Sequence, residues 1–193
     1  EFDRKKVEDW SRDLELLCQH KLEMPLLAYG NAIAPGKHAL RVNFDAALTK
    51  LLREVHYFLL LEIDDVVPRS MRDLHLRAEN FRRHTASLDL VVHMYNTMLY
   101  QLKPVERPLL EPFFVKLSAQ LEGGIGDNGL NWTSEDIGDF VSCATAQTTE
   151  VHNIFLTLND NLKQIQVKLD SFSGELLVRH SEPLAPKDYA AEL

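Results

Sequence analysis

One stripe of residues constrains this chain more than anything else in it. Ile137, Val141, Ala144, Thr148, Val151, Phe155, Leu158, Leu162, Ile165, Leu169 and Phe172 follow one another at steps of four and three, alternating without a break. An α-helix turns once in about 3.6 residues, so this spacing lines a single face of a single long helix. Only Thr148 on it is polar. Each fully buried Leu, Ile or Phe contributes about 1.5–3 kcal/mol, and such a face left open to water promotes aggregation. The stripe therefore demands a long covering surface, from a helix of this chain or of a second one. The pattern predicts a helix over 134–172, capped by Thr133 or Ser134 and ended by Ser173-Gly174.

The rest of the chain reads as helices around one extended excursion. Val7, Trp10, Leu14 and Leu17 mark a first helix over 3–19, in a segment closed by Pro25. Residues 25–43 hold the turn dipeptide Pro35-Gly36 between two short apolar flanks, which predicts a β-hairpin or extended excursion leaning on helices. Asn43 and Asp45 can accept the free N–H groups of a first helical turn, opening a helix over 44–61. A third helix is predicted over 70–102. Leu74, Phe81, Leu88, Tyr95 and Leu102 lie seven apart there, with Ala78, Thr85, Val92 and Leu99 as a second row. A fourth covers 105–122, with Pro108 harmless in its first turn and Pro112 expected to kink or delay it. Leu176-Leu177-Val178 suggests a short strand, and residues 183–193 a frayed tail or the start of another helix.

The fold class is thus mainly α: an elongated antiparallel helical bundle with long heptad-patterned helices and a short β-hairpin near residues 25–43. Its expected divisions are 1–24, a first helix; 25–43, the excursion; 44–172, the bundle; and 173–193, a strand and tail.

Charge narrows the function. With 21 Lys and Arg against 29 Asp and Glu, the net charge is −8. That disfavours nucleic acid and anionic membranes, both of which reward clustered cations. The longest apolar run, residues 57–61, is far too short to span a bilayer. The first residue is Glu rather than Met, which suggests a piece of a longer chain or a processed product. Cys18 and Cys143 read as buried reduced thiols of a cytosolic protein.

Candidate chemistry fails motif by motif. Gly124, Gly126 and Gly129 fit the spacing of a dinucleotide loop, yet helical leucines precede them instead of a buried strand. The next helix signal waits until Thr133-Ser134, and no Gly-Lys-Ser or Gly-Lys-Thr follows. His56, His75, His84 and His93 share no helix face at ligand spacing. Glu62, Asp64 and Asp65 read as a solvated helix end, and Arg72, Arg77, Arg82 and Arg83 as a solvated face diluted by Asp73 and Glu79. Trp10 and Trp132 read as core anchors. No catalytic residue, cofactor or metal is expected.

A resemblance enters at Val42, Asn43, Phe44 and Asp45, followed by Leu48 and by Leu51, Leu52, Arg53, Glu54 and Val55. Further matches lie at Tyr95-Asn96, at residues 105–109 and at Leu130, Asn131 and Trp132. Over about residues 26–172 the chain resembles the N-terminal tail region of dynein heavy chains, with an axonemal, outer-arm flavour. The resemblance implies a helical stem remote from the ATP-hydrolysing ring. It also implies association with other heavy chains, with intermediate and light chains and with docking proteins, in the cytoskeleton of the ciliary or flagellar axoneme. Because the chain is acidic, no direct contact with acidic tubulin is expected. The competing readings are an unrelated all-α coiled-coil adaptor and, further off, a small helical nucleotide-binding enzyme.

Overall fold

The computed structural model describes residues 12, 15–34, 37–62, 67–126 and 128–172. Trp10, the Pro35-Gly36 turn, Asp64, Asp65 and the expected strand and tail over 173–193 lie outside them. The chain is mainly helical, with one two-stranded antiparallel sheet. It divides into two compact units, Glu1–Asn153 and Ile154–Leu193.

In the first unit, the described part of the first helix (α1) covers residues 15–22. It buries Cys18 and Leu22 and leaves Leu17 exposed, against the expectation for Leu17; Val7 and Leu14 of the expected stripe lie outside the described residues. The Cys18 thiol meets the Met71 sulfur at 3.9 Å, and burial pushes its pKa up to about 11. The hairpin forms where expected, from β1 (Leu27–Ala34) and β2 (Lys37–Val42). Leu27 faces Val42 and Tyr29 faces Leu40, with irregularities in register beyond Tyr29. Helix α2 (Ala46–Leu60) starts where Asp45 caps it, the carboxylate accepting the Ala47 N–H at 2.7 Å. It buries Leu48, Leu51 and Val55.

The single helix expected over 70–102 is two helices, α3 (Arg69–Leu76) and α4 (Ala78–Gln101). The break falls at Arg77, whose N–H reaches only three residues back, to Leu74 O at 3.1 Å. A one-residue turn leaves the seven-residue spacing from Leu74 to Phe81 intact, so periodicity could not reveal it. Along α4, Phe81, Leu88, Val91, Met94, Met98 and Leu99 are buried. Thr85 and Val92, assigned to the second row by heptad counting, are only half-buried. Helix α5 (Arg107–Glu122) runs through Pro112 without a break. Pro112 is exposed and lies in the second turn, where one missing N–H disturbs little.

Helix α6 (Ile137–Phe172) is the long helix the stripe predicted, starting three residues later than expected. Ile137, Val141, Ala144, Thr148, Val151 and Phe155 are buried. In the second unit the stripe emerges: Leu158 and Leu162 are half-buried. Ile165, Leu169 and Phe172 are 52%, 59% and 64% exposed. At 36 residues the helix spans about 54 Å.

Thr148 is wholly inaccessible and its hydroxyl has no hydrogen-bond partner among the described residues. A buried hydroxyl in that state costs stability. Thr148→Val should therefore raise the unfolding free energy by about 1 kcal/mol. Thermal denaturation should show a midpoint about 2–4 °C higher; a lower midpoint would mean that the hydroxyl is bonded after all.

Candidate functional site

Three of the motif residues that carried the resemblance, Asn43, Phe44 and Trp132, come from separated stretches and meet at one junction. Trp132 is fully buried. Its indole N–H donates to Asn43 O at 2.9 Å, across 89 positions of sequence. Its backbone N–H donates to Leu22 O at 3.1 Å, and its carbonyl accepts the Arg77 guanidinium at 3.4 Å. The Phe44 ring meets the indole edge-on at 4.7 Å, and Phe81 closes the aromatic group at 6.5 Å. Arg77 in turn lies over the Phe81 ring at 5.1 Å. Segments from α1, the start of α2, the α3–α4 break and the approach to α6 thereby meet at one residue, through both its backbone and its indole.

Asparagines do the local bonding. Asn43 donates from its amide to Pro25 O at 3.0 Å and from its backbone to Leu26 O at 2.9 Å. The Asn131 side-chain oxygen accepts the Thr133 N–H at 2.9 Å, holding the turn that leads into α6. Asn96 on α4 receives the Leu40 N–H and gives its own amide N–H to Leu40 O, both at 2.9 Å. A side-chain amide so placed imitates a strand and closes the free edge of β2. Asp45 adds an ion pair with Lys21 at 2.7 Å. Of the other motif positions, Leu51 and Val55 are buried, Val42, Leu52 and Leu130 half-buried, and Arg53 and Glu54 exposed.

The glycine loop is structural. Gly124 O accepts the Leu27 N–H at 2.8 Å, and Leu130 O accepts the Leu26 N–H at 3.0 Å, so the loop pairs with the start of β1. Gly126 has φ +79°, and a Cβ on Gly129 would stand 2.7 Å from Ile125 O. The glycines answer a tight turn packed against a strand edge, and the end of α5 precedes them.

The remaining candidates separate. Arg77, Arg82 and Arg83 are exposed and Arg72 half-buried; Arg72 donates to Val67 O, Arg82 pairs with Glu79 at 2.7 Å and Arg83 donates to the Asn80 side chain. Glu62 occupies left-handed backbone at the end of α2, with φ +57°. His84 titrates lower than usual, first because it is partly buried and then because Arg83 is near. His93 is exposed. Linear spacing did miss one pair: α2 against α3 brings the His56 and His75 rings to 5.4 Å. They share a groove of about 610 Å³ with Arg53, Arg82 and Asp89. A second groove, of about 430 Å³, lies where the hairpin meets α4 and α5, and its Lys37 is already paired with Glu111 at 3.5 Å. Burial raises the Tyr95 phenol there, against the lowering effect of a hydrogen bond with Ser118. Among the described residues no group of three or more His, Cys, Asp or Glu is placed to hold a metal ion. No described helix is long and apolar enough to cross a membrane.

Asn43, Asp45, Asn131 and Trp132 thus spend their polar groups on the chain's own backbone and on Lys21, within a mainly helical fold. The family follows from comparison: the chain belongs to the family described as Dynein heavy chain, N-terminal region 1, whose model matches residues 1–140. It is 28% identical to the "Dynein beta chain, flagellar outer arm" of Chlamydomonas reinhardtii, over 94% of this chain and 4% of that one. It is 26% identical to the "Dynein beta chain, ciliary" of Heliocidaris crassispina, over 94% and 4%. Against the human "Dynein axonemal heavy chain 9" it is 26% identical, over 86% and 4%. The chain thus spans about 4% of the length of these relatives.

Two expectations test the junction. Trp132→Phe keeps an aromatic ring but orphans Asn43 O, and should cost about 1–3 kcal/mol in urea unfolding; an unchanged midpoint would remove the indole bond from its central place. The Lys21 hydrogen bond, then the Ala47 N–H, hold the Asp45 carboxyl below its ordinary value. A carboxyl lowered on folding adds stability above its unfolded pKa, and that stability is lost as pH falls through the folded value. Asp45→Asn should flatten the acid side of the stability–pH curve, and an identical slope in the variant would contradict this.

Proposed function

We propose that this segment is a non-catalytic part of a dynein heavy-chain tail, working as a helical scaffold in the axoneme of cilia or flagella. The N-terminal region of such a chain is its tail, remote from the ring that hydrolyses ATP. In this reading the helices belong to an elongated antiparallel bundle whose apolar seams join heavy chains to one another. The same bundle carries intermediate and light chains and fixes the motor complex to its track through docking proteins.

The observation that carries the reading is the exposed end of the α6 stripe. Ile165, Leu169 and Phe172 present a continuous apolar row on a helix that extends past the buried part of its own seam. Large exposed apolar rows mark interaction surfaces. The buried half, from Ile137 to Phe155, anchors the helix. Packed helices resist compression because interiors are as dense as organic crystals, which suits a strut that bears load. The net charge of −8 opposes direct contact with acidic tubulin, so attachment passes through adaptor subunits.

The test uses purified partners. Leu169→Asp with Ile165→Asp changes exposed positions and should leave the melting temperature of the 193-residue chain within about 2 °C, since surface changes alter stability little. The same pair should abolish its co-purification with a purified heavy-chain tail or intermediate chain. Undiminished co-purification, or tight salt-insensitive binding of the segment to bare microtubules, would overturn the proposal.

A further inference from the structure

The groove between the hairpin and helices α4 and α5 is filled by the chain's own charge at one end and open at the other. Glu111, Ser118 and Glu122 stand on one face of α5, at steps of seven and four residues, and all three line the groove. At the first end the Lys37 ammonium meets Glu111 at 3.5 Å and lies over the Phe114 ring at 5.9 Å. A carboxylate beside an aromatic face thus already holds a cation here. Glu122 lies eleven residues further on, about 16 Å along the helix. That is beyond the reach of a lysine side chain engaged at Glu111. Glu122 is exposed and has no ion pair among the described residues. Two phenols stand near it. Burial, and then Tyr29 and Glu122, raise the half-buried Tyr95 phenol against its hydrogen bond with Ser118, so it keeps its proton at neutral pH. Tyr29 is 53% exposed, and its ring leans on His38 at 5.5 Å. Leu40, Leu99 and Leu121 make a buried apolar floor. With histidine neutral, Lys37, Glu111 and Glu122 leave the groove one net negative charge.

We propose that the open end of this groove receives an arginine side chain of a partner protein. Its guanidinium pairs with the Glu122 carboxylate and lies against the Tyr29 and Tyr95 rings, and its methylene stem crosses the leucine floor. Charge alone does not make this choice, because an exposed ion pair contributes little. The rings decide between cations. A guanidinium is flat, weakly hydrated and stacks on aromatic faces, whereas an ammonium is a compact and strongly hydrated point charge. A guanidinium also carries five N–H donors in a fixed fork. The Glu122 carboxylate can accept two of them in parallel, and the two phenol oxygens and the Ser118 hydroxyl, one turn away on α5, are further acceptors. The volume of about 430 Å³ leaves room for the partner residues on either side of the arginine. The proposal rests on the scaffold reading above and specifies the chemistry of one contact with a partner.

The probe is a short capped peptide with one central arginine between leucines, titrated into the 193-residue chain and followed by amide chemical shifts. Two otherwise identical peptides carry citrulline, which keeps the shape and removes the charge, or lysine, which keeps the charge and removes the plane. The arginine peptide should shift Tyr29, Tyr95, Ser118 and Glu122, and the citrulline peptide should not bind at the same concentrations. The lysine peptide should bind at least about threefold more weakly. Glu122→Gln alters an exposed residue and should weaken the arginine peptide at least about fivefold. Glu150→Gln, the same charge change on α6, should leave it unaltered. In Tyr29→Leu the preference for arginine over lysine should disappear. Should Glu122→Gln lose its fold by circular dichroism, Tyr29→Leu and the shifts of the unaltered chain decide. Shifts confined to other residues overturn the proposal. Equal binding of the arginine peptide and either counterpart, or a folded Glu122→Gln with unaltered affinity, overturns it as well. A chain that captures a purified heavy-chain tail or intermediate chain but ignores the arginine peptide sinks this inference and leaves the scaffold reading standing. One that takes the peptide in the groove but captures neither does the reverse.

Discussion

The Trp132 indole and its hydrogen bond to the Asn43 carbonyl hold together what the rest of the first unit depends on. Trp132 lies at the start of the approach to α6, and Asn43 at the start of the approach to α2. A buried carbonyl must be satisfied, and an indole offers one donor in a fixed direction. That bond therefore sets the register between two segments that share no secondary structure. Around it Phe44 and Phe81 provide edge-on ring contacts, which favour particular angles as well as burial. Arg77 then joins the junction to the break between α3 and α4 through the Trp132 carbonyl. Packing alone would tolerate small slips of one helix along another; a directional bond at the centre does not.

This arrangement accounts for the residues that made the family resemblance recognisable. Asn43, Phe44, Asp45, Asn131 and Trp132 are spent on caps, turns and the junction itself. Asn96 is spent on the backbone of Leu40. Each is a polar or aromatic group with a particular geometric duty that few substitutes meet. The apolar positions between them, such as Leu51 and Val55, can exchange for others of similar volume.

What could be read from the sequence was whatever depends on neighbours along the chain. The α6 stripe, the hairpin about residues 25–43 and the Asp45 cap all follow from local period, turn chemistry or a side chain reaching two residues on. What could not be read was set by contacts across long separations. The interruption at Arg77 leaves the seven-residue repeat untouched and is tied to Trp132, far away in sequence. His56 and His75 looked unrelated because their meeting requires two helices to be placed first. Asn96 did leave a trace: an amide flanked by Met94, Met98 and Leu99, all buried, needs a partner. The α6 stripe shows the converse, since spacing defines a face without fixing how much of it a single chain can cover.

Both outer flanks of the hairpin are occupied where they enter the junction. Asn96 answers the backbone of Leu40, and the glycine loop answers Leu26 and Leu27. At those positions the ribbon offers no vacant main-chain groups for a foreign strand to zip onto. Recruitment by strand addition is closed there, and with it a common route to misassembly.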